Sequence, residues 1–164
     1  MKAYPTQAEL RDRFDYKDGD LIYKFDFGPR ATAGNVAGTN KRVYKSIGIN
    51  GRNYITQRLI WIWHNKDIPE GMEIDFINRL KHDTRIENIR LATHSQNLGN
   101  VTKYKTNSSN YKGVCYNKKA KCWHAYICIN QKQKHLGVRD TPEAAHELYI
   151  SAAKELYGEF ACTG

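Results

Sequence analysis

The chain has 164 residues, with 26 lysines and arginines against 17 aspartates and glutamates and a formal net charge of +9. That length suits one ordinary domain or two small ones, and we read two small modules. The charge points to a polyanionic partner, nucleic acid first, and with no apolar run approaching the roughly 20 residues of a membrane span we expect a soluble protein without a membrane partner.

Residues 1–70 read as short strands followed by one apolar helix. Asp20-Leu21-Ile22-Tyr23-Lys24-Phe25 alternates in period two, and residues 43–49 do so less cleanly. Turn signals stand at Asp18-Gly19 and Asn50-Gly51, the second a strong hairpin signal because both residue types tolerate positive φ. The continuous run Arg58-Leu59-Ile60-Trp61-Ile62-Trp63-His64 predicts a short buried helix that ends before Pro69, with Trp61 and Trp63 in the core rather than stacked on bases.

Residues 73–78 then read Glu-Ile-Asp-Phe-Ile-Asn, a strand whose alternation sends Asp75 and Ile77 to one face and Phe76 and Asn78 to the other. A polar basic loop, Arg79 to Asp83, leads into Arg85-Ile86-Glu87-Asn88-Ile89-Arg90, after which Thr93 caps a helix carrying His94 and Asn97 three apart. Residues 97–110 turn polar without a hydrophobic period, and 101–110 reads as a linker.

Beyond it, residues 111–116, 123–129 and 134–138 read as three strands joined by Asn-Lys-Lys and Asn-Gln turns. A helix follows, with Thr141 as N-cap, Pro142 in the first helical position and Gly158 as the stop. Ala145, Leu148, Ala152 and Leu156 would form its apolar face. From Val101 to Arg139 there are nine basic residues, Lys105 among them, and no acidic one. An anion against this stretch would relieve its self-repulsion; a solvated basic face is the alternative. Cys115, Cys122, Cys128 and Cys162 lack Cys-x-x-Cys spacing and nothing at the start resembles a signal peptide, so we expect reduced thiols in a cytoplasmic protein.

The Ile-Asp-x-Ile-Asn, Arg-Ile-Glu-Asn-Ile-Arg and Thr-x-x-x-Asn segments stand in the order and spacing of the ββα-metal core of HNH endonucleases, and residues 55–100 resemble that family. The resemblance implies an α+β fold and a hydrolase of phosphodiester bonds in double-stranded DNA. It assigns Asp75 and Asn97 as ligands of one divalent metal, Mg²⁺ or Mn²⁺ by the hardness of oxygen donors, and Asn88 as the residue that orients the loop between the strands. The family's general base, a histidine, is replaced by Phe76, which can neither accept a proton nor hydrogen-bond water; such a loss costs about 10²–10⁴ in rate. His64, His82 and His94 are the available substitutes. His94 shares a helix face with Asn97, and its plainer reading is an exposed polar residue of the first turn.

Residues 109–161, with a domain at 111–162, resemble the APETALA2-type DNA-binding domain through Tyr111-Lys112-Gly113-Val114, Trp123-His124-Ala125-Tyr126-Ile127, His135-Leu136-Gly137 and Glu155-Leu156-Tyr157-Gly158-Glu159-Phe160-Ala161. The resemblance implies a three-stranded antiparallel sheet laid in the major groove and backed by one helix. Tyr111, Lys112, Tyr116, Lys118, Lys119, Lys121, Lys132, Lys134 and Arg139 would supply mainly phosphate contacts, with Tyr116, Trp123, Tyr126 and Lys134 as base-reading candidates; strand alternation puts Trp123, Ala125, Ile127 and Ile129 opposite His124, Tyr126 and Cys128, and burial of Trp123 under the helix is the alternative for that residue. Together the resemblances describe a homing-type phage nuclease at work in an infected bacterial cell, probing DNA as a monomer. The other reading is a catalytically inactive, sequence-targeted DNA-binding protein on the same scaffold.

Overall fold

Thr6 and Glu9 open the first helix by capping each other: the Glu9 backbone N–H donates to Thr6 Oγ1, and the Thr6 backbone N–H donates to the Glu9 carboxylate at 2.7 Å. The computed structural model, which describes residues 4–40, 43–103, 106–129 and 132–164, places this helix, α1, at Gln7–Arg13. Hydrophobic periodicity did not predict it; the Thr-x-x-Glu box was the legible signal. Residues 41, 42, 104, 105, 130 and 131 lie outside the described residues, and with them Lys105 and the Asn-Gln turn expected before Lys132.

The architecture is α+β and the chain forms two compact units, 1–92 and 93–164. In the first, β1 (Phe14–Lys17) and β2 (Asp20–Tyr23) form a hairpin about Asp18 and Gly19, both at positive φ as the Asp-Gly signal requires. Strands β3 (Thr39–Asn40), β4 (Lys45–Ile49) and β5 (Arg52–Ile55) make an antiparallel sheet, with Asn50 and Gly51 again at positive φ between β4 and β5. Helix α2 (Thr56–Asn65) follows at once and buries Leu59, Ile60 and Ile62 with Leu10, Phe14, Leu21 and Ile47. Trp61 and Trp63 flank that core, and the Trp63 indole donates to the Phe14 carbonyl at 3.1 Å, a structural role for both ends of the side chain. Strands β6 (Met72–Phe76) and β7 (Ile89–Thr93) pair beneath it, joined by a loop that ends in a 3₁₀ turn over Ile86–Asn88.

The second unit begins with α3 (His94–Asn100), where the segment that the sequence attached to the nuclease-like core packs with the residues after it. Gly99 explains why: its backbone lies against the Tyr157 ring, which a Cβ would meet at 2.7 Å, and its carbonyl accepts the Cys162 N–H at 3.1 Å. The expected linker is likewise tied down at its end, since buried Ser109 bonds Asn107, Tyr111 and Val114.

Strands β8 (Val114–Asn117), β9 (Cys122–Ile129) and β10 (Lys132–Arg139) form an antiparallel sheet in the order β10-β9-β8, and α4 (Pro142–Tyr157) lies on it. Thr141 caps α4 through Ala144, Pro142 is in its first turn and Gly158 ends it. Its buried stripe is Ala145, Tyr149, Ala153 and Tyr157; of the four residues expected on that face Ala145 is buried and Leu148 packs half-buried against the same cluster, while Leu156 is 42% exposed. Tyrosine rings fill the space over Gly99 and Gly113, where the absent Cβ atoms leave room that leucine would fill less well.

Candidate functional site

Asp75 and Phe76 end β6, where alternation sends them to opposite faces, and both are buried, at 4% and 6% exposure. The Asp75 carboxylate accepts the Arg90 Nε–H at 3.0 Å from neighbouring β7, and the Arg90 side chain is itself only 15% exposed. Phe76 belongs to the core of the first unit, its ring parallel to Tyr44 with centroids 6.5 Å apart. Lys81 sets its ammonium 5.4 Å from the outer face of that Tyr44 ring.

The loop between β6 and β7 is clasped by side chains. Asn88 is buried; its Oδ1 accepts the Asn78 N–H at 2.9 Å and its Nδ2 donates to the Asp83 carbonyl at 2.7 Å. The Arg85 guanidinium grips both oxygens of Asp83, at 2.8 and 2.7 Å, and with a further bond from Asn78 holds that carboxyl down at about 2. Thr84 donates to the Gly19 carbonyl and so ties the loop to the first hairpin.

Of the three candidate substitute bases, His64 is half-buried between the rings of Tyr16 and Trp63, and burial pushes its pKa down. His82 is exposed on the clasped loop. His94 is exposed on α3 and Asn97 half-buried there, both in the second unit.

HNH endonucleases typically use a divalent metal ion, and at Asp75 the carboxylate that would hold it is engaged by Arg90 through one oxygen. The carboxylate is already bonded to a guanidinium, the next side chain is a phenyl, and among the described residues no three His, Cys, Asp or Glu side chains cluster as a metal group. Sequence spacing shows that a carboxylate is present; it cannot show which cation that carboxylate faces.

On the sheet of the second unit, direct cross-strand pairs sort the side chains by face. Tyr116 pairs Trp123, their rings 4.8 Å apart, and Trp123 packs with Val114, Ala125 and Ala145 under α4. Lys134 pairs Ile127 on the same side. Of the four base-reading candidates Tyr116, at 44% exposure, Trp123 and Lys134 stand on the α4 side, and Tyr126 stands on the face away from α4, because one-residue offsets decide the face. His124 and His135, not singled out from sequence, join it there. His124 Nδ1 lies 3.2 Å from His135 Nε2 and 3.3 Å from the Tyr126 hydroxyl, and its Nε2 lies 3.6 Å from Cys122 Sγ. Cross-strand pairing puts Cys115, Asn117, Cys128 and Gln133 on this face as well, and among the described residues no lysine or arginine pairs onto it.

The cations lie at the sheet's ends. Lys118, Lys119 and Lys121 are exposed at the β8–β9 turn, and Lys132, Lys134 and Arg139 along β10. Lys112 is half-buried, donates to the carbonyls of Gly99 (2.7 Å) and Cys162 (3.3 Å), and sits over the Tyr149 ring, so its ammonium is engaged within the unit. Tyr111 similarly donates to Glu143. The four cysteines are free thiols, and among the described residues no helix is long and apolar enough to cross a membrane.

A family model described as HNH endonuclease matches residues 54–98, from the end of β5 through α2, β6 and β7 to most of α3. Protein 3.8 of Escherichia phage T7 is 32% identical over 107 residues, covering 64% of this chain and 88% of that protein. No solved structure matches. The chain belongs to the family of phage T7 Protein 3.8 and carries an HNH endonuclease domain across residues 54–98.

Proposed function

We propose that the protein is a duplex-DNA-binding member of the HNH endonuclease family whose phosphodiester cleavage runs about 10²–10⁴ below that of a member with histidine at position 76. The observation that carries this reading is the buried Phe76 ring, stacked on Tyr44 beside Asp75 where the resemblance expects a proton acceptor. A hydrocarbon ring cannot take the proton of an attacking water, and its burial gives it a packing role instead.

DNA is the substrate class implied by the domain, and the +9 charge supplies sequence-independent attraction to it. In this reading the second unit delivers the protein as an APETALA2-like module in the manner of homing-type enzymes. Its exposed lysines and Arg139 hold phosphates at the ends of the sheet, while the uncharged face with His124, Tyr126 and His135 approaches base edges. The protein acts as a monomer inside the infected cell.

The test pairs a gel shift on duplex fragments with nicking of supercoiled plasmid in Mg²⁺ or Mn²⁺. Tight binding without nicking supports the proposal. Rapid nicking by the native chain that Asp75→Ala abolishes overturns it in favour of an active endonuclease with a substitute base such as His94.

A further inference from the structure

Loop 77–85 is a largely exposed segment of the first unit that several side-chain bonds brace. Asn88 clasps it across its base, Asn78 Oδ1 accepts the Leu80 N–H at 2.8 Å, the Arg79 N–H closes a turn onto the Phe76 carbonyl at 2.9 Å, and Thr84 anchors its end. Arg79 sits at φ 66°, a left-handed conformation that a long side chain adopts only when its surroundings impose it. The product of this bracing is an apolar tip: Leu80 is 62% exposed, with Ile77 at the loop's start 45% exposed. A single exposed leucine needs no explanation, but this one stands in Arg79-Leu80-Lys81-His82, at the end of a loop that side-chain bonds stop from folding back.

We propose that Leu80 is a wedge that enters a base step of duplex DNA from the minor groove, with Arg79, Lys81 and His82 on the flanking phosphates. An apolar side chain carried between cations on a stiff support is what unstacking a step demands: the cations draw the loop to the backbone, and the tip replaces base–base contact with its own. The nearby acid, Asp83, does not oppose the approach, because Arg85 neutralises it through two bonds. The inference rests on the duplex-binding reading above.

A wedge untwists DNA whatever its sequence, so the test needs no knowledge of a target. Closed circular plasmid is relaxed by a type I topoisomerase in the presence of the full chain, then deproteinised, and its linking number is read on a gel; a parallel gel shift scores binding. The native chain lowers the linking number. Leu80→Ala loses most of that shift with less than about a tenfold loss of affinity, Leu80→Phe keeps it, and an Arg79→Ala/Lys81→Ala pair weakens binding and reduces its salt slope by about 2. Binding by the native chain without a linking-number change overturns the wedge alone, as does an unchanged shift in Leu80→Ala. Absence of any gel shift overturns the duplex-binding reading and the wedge with it.

Discussion

Arg90 donates its Nε–H to Asp75 at 3.0 Å, from a strand beside the one that ends in the aspartate, and both side chains are withdrawn from water. A pair in that setting is costly to break from one side, because the remaining ion keeps its desolvation and loses its partner.

Removing the carboxylate by Asp75→Leu is therefore expected to destabilise the first unit by about 3 kcal/mol, while Arg90→Met combined with Asp75→Leu costs less than the two single changes together. Urea denaturation of the four proteins checks this. Additivity would show that the pair contributes nothing.

Phe76→His is expected to raise nicking by about 10²–10⁴ over the native chain. The gain comes with a stability loss of about 1–3 kcal/mol, because a polar ring replaces a buried phenyl stacked on Tyr44. Initial nicking rates and thermal melts measure the two effects separately.

His64 makes the first unit sensitive to acid. Burial lowers its pKa, with the Arg11 charge adding to the effect and Glu87 opposing it, and its Nε2 has no hydrogen-bond partner. With a folded pKa below the unfolded one, the unfolded state binds more protons between the two values. The stability that His64 contributes is thus present above the unfolded pKa, near 6.5, and is lost as pH falls below it. Melting temperatures from pH 8 to 5 should fall more for the native chain than for His64→Phe. Parallel curves would refute the assignment.

Gly113→Ala is expected to cost the second unit more than about 2 kcal/mol. Gly113 lies at φ 74°, and a Cβ there would press on the Tyr149 ring and stand 2.6 Å from the Tyr126 carbonyl oxygen. Urea denaturation followed through Trp123 fluorescence, in a Trp61→Phe/Trp63→Phe background, reports this unit, and an unchanged midpoint would contradict the packing.

Changing Lys118, Lys119 and Lys121 together to alanine should weaken duplex binding similarly for all sequences and reduce its salt slope by about 3, with stability unchanged. Lys112→Ala should do the reverse, lowering the melting temperature and leaving the slope nearly intact, because its ammonium serves two carbonyls. Equal slopes for the native and triple-alanine chains would remove those lysines from the interface.

Features resting on local chemistry could be read from the chain alone. Asp18-Gly19 and Asn50-Gly51 are turns because of their own positive-φ tolerance, Thr93 and Thr141 cap helices through neighbours three residues away, and the segments shared with HNH enzymes lie in a continuous stretch. The helix at Gln7–Arg13 was also written locally, in a capping box, but carries little hydrophobic period because only Leu10 is buried.

What escaped the sequence depends on partners distant along the chain. That Asp75 faces Arg90, that Phe76 lies on Tyr44, and that Lys112 serves Gly99 and Cys162 are outcomes of strand pairing and packing, in which a side chain's chemistry is set by what the fold brings beside it. Register made the same kind of choice on the second sheet, where it turned Tyr116 and Trp123 toward α4 and left His124, Tyr126 and His135 on the open face. Residue types and their order thus carried the family and the classes of chemistry. Long-range contacts selected which of those groups remain available to use it, since a carboxylate or an ammonium acts outward only where the folded chain has not already engaged it.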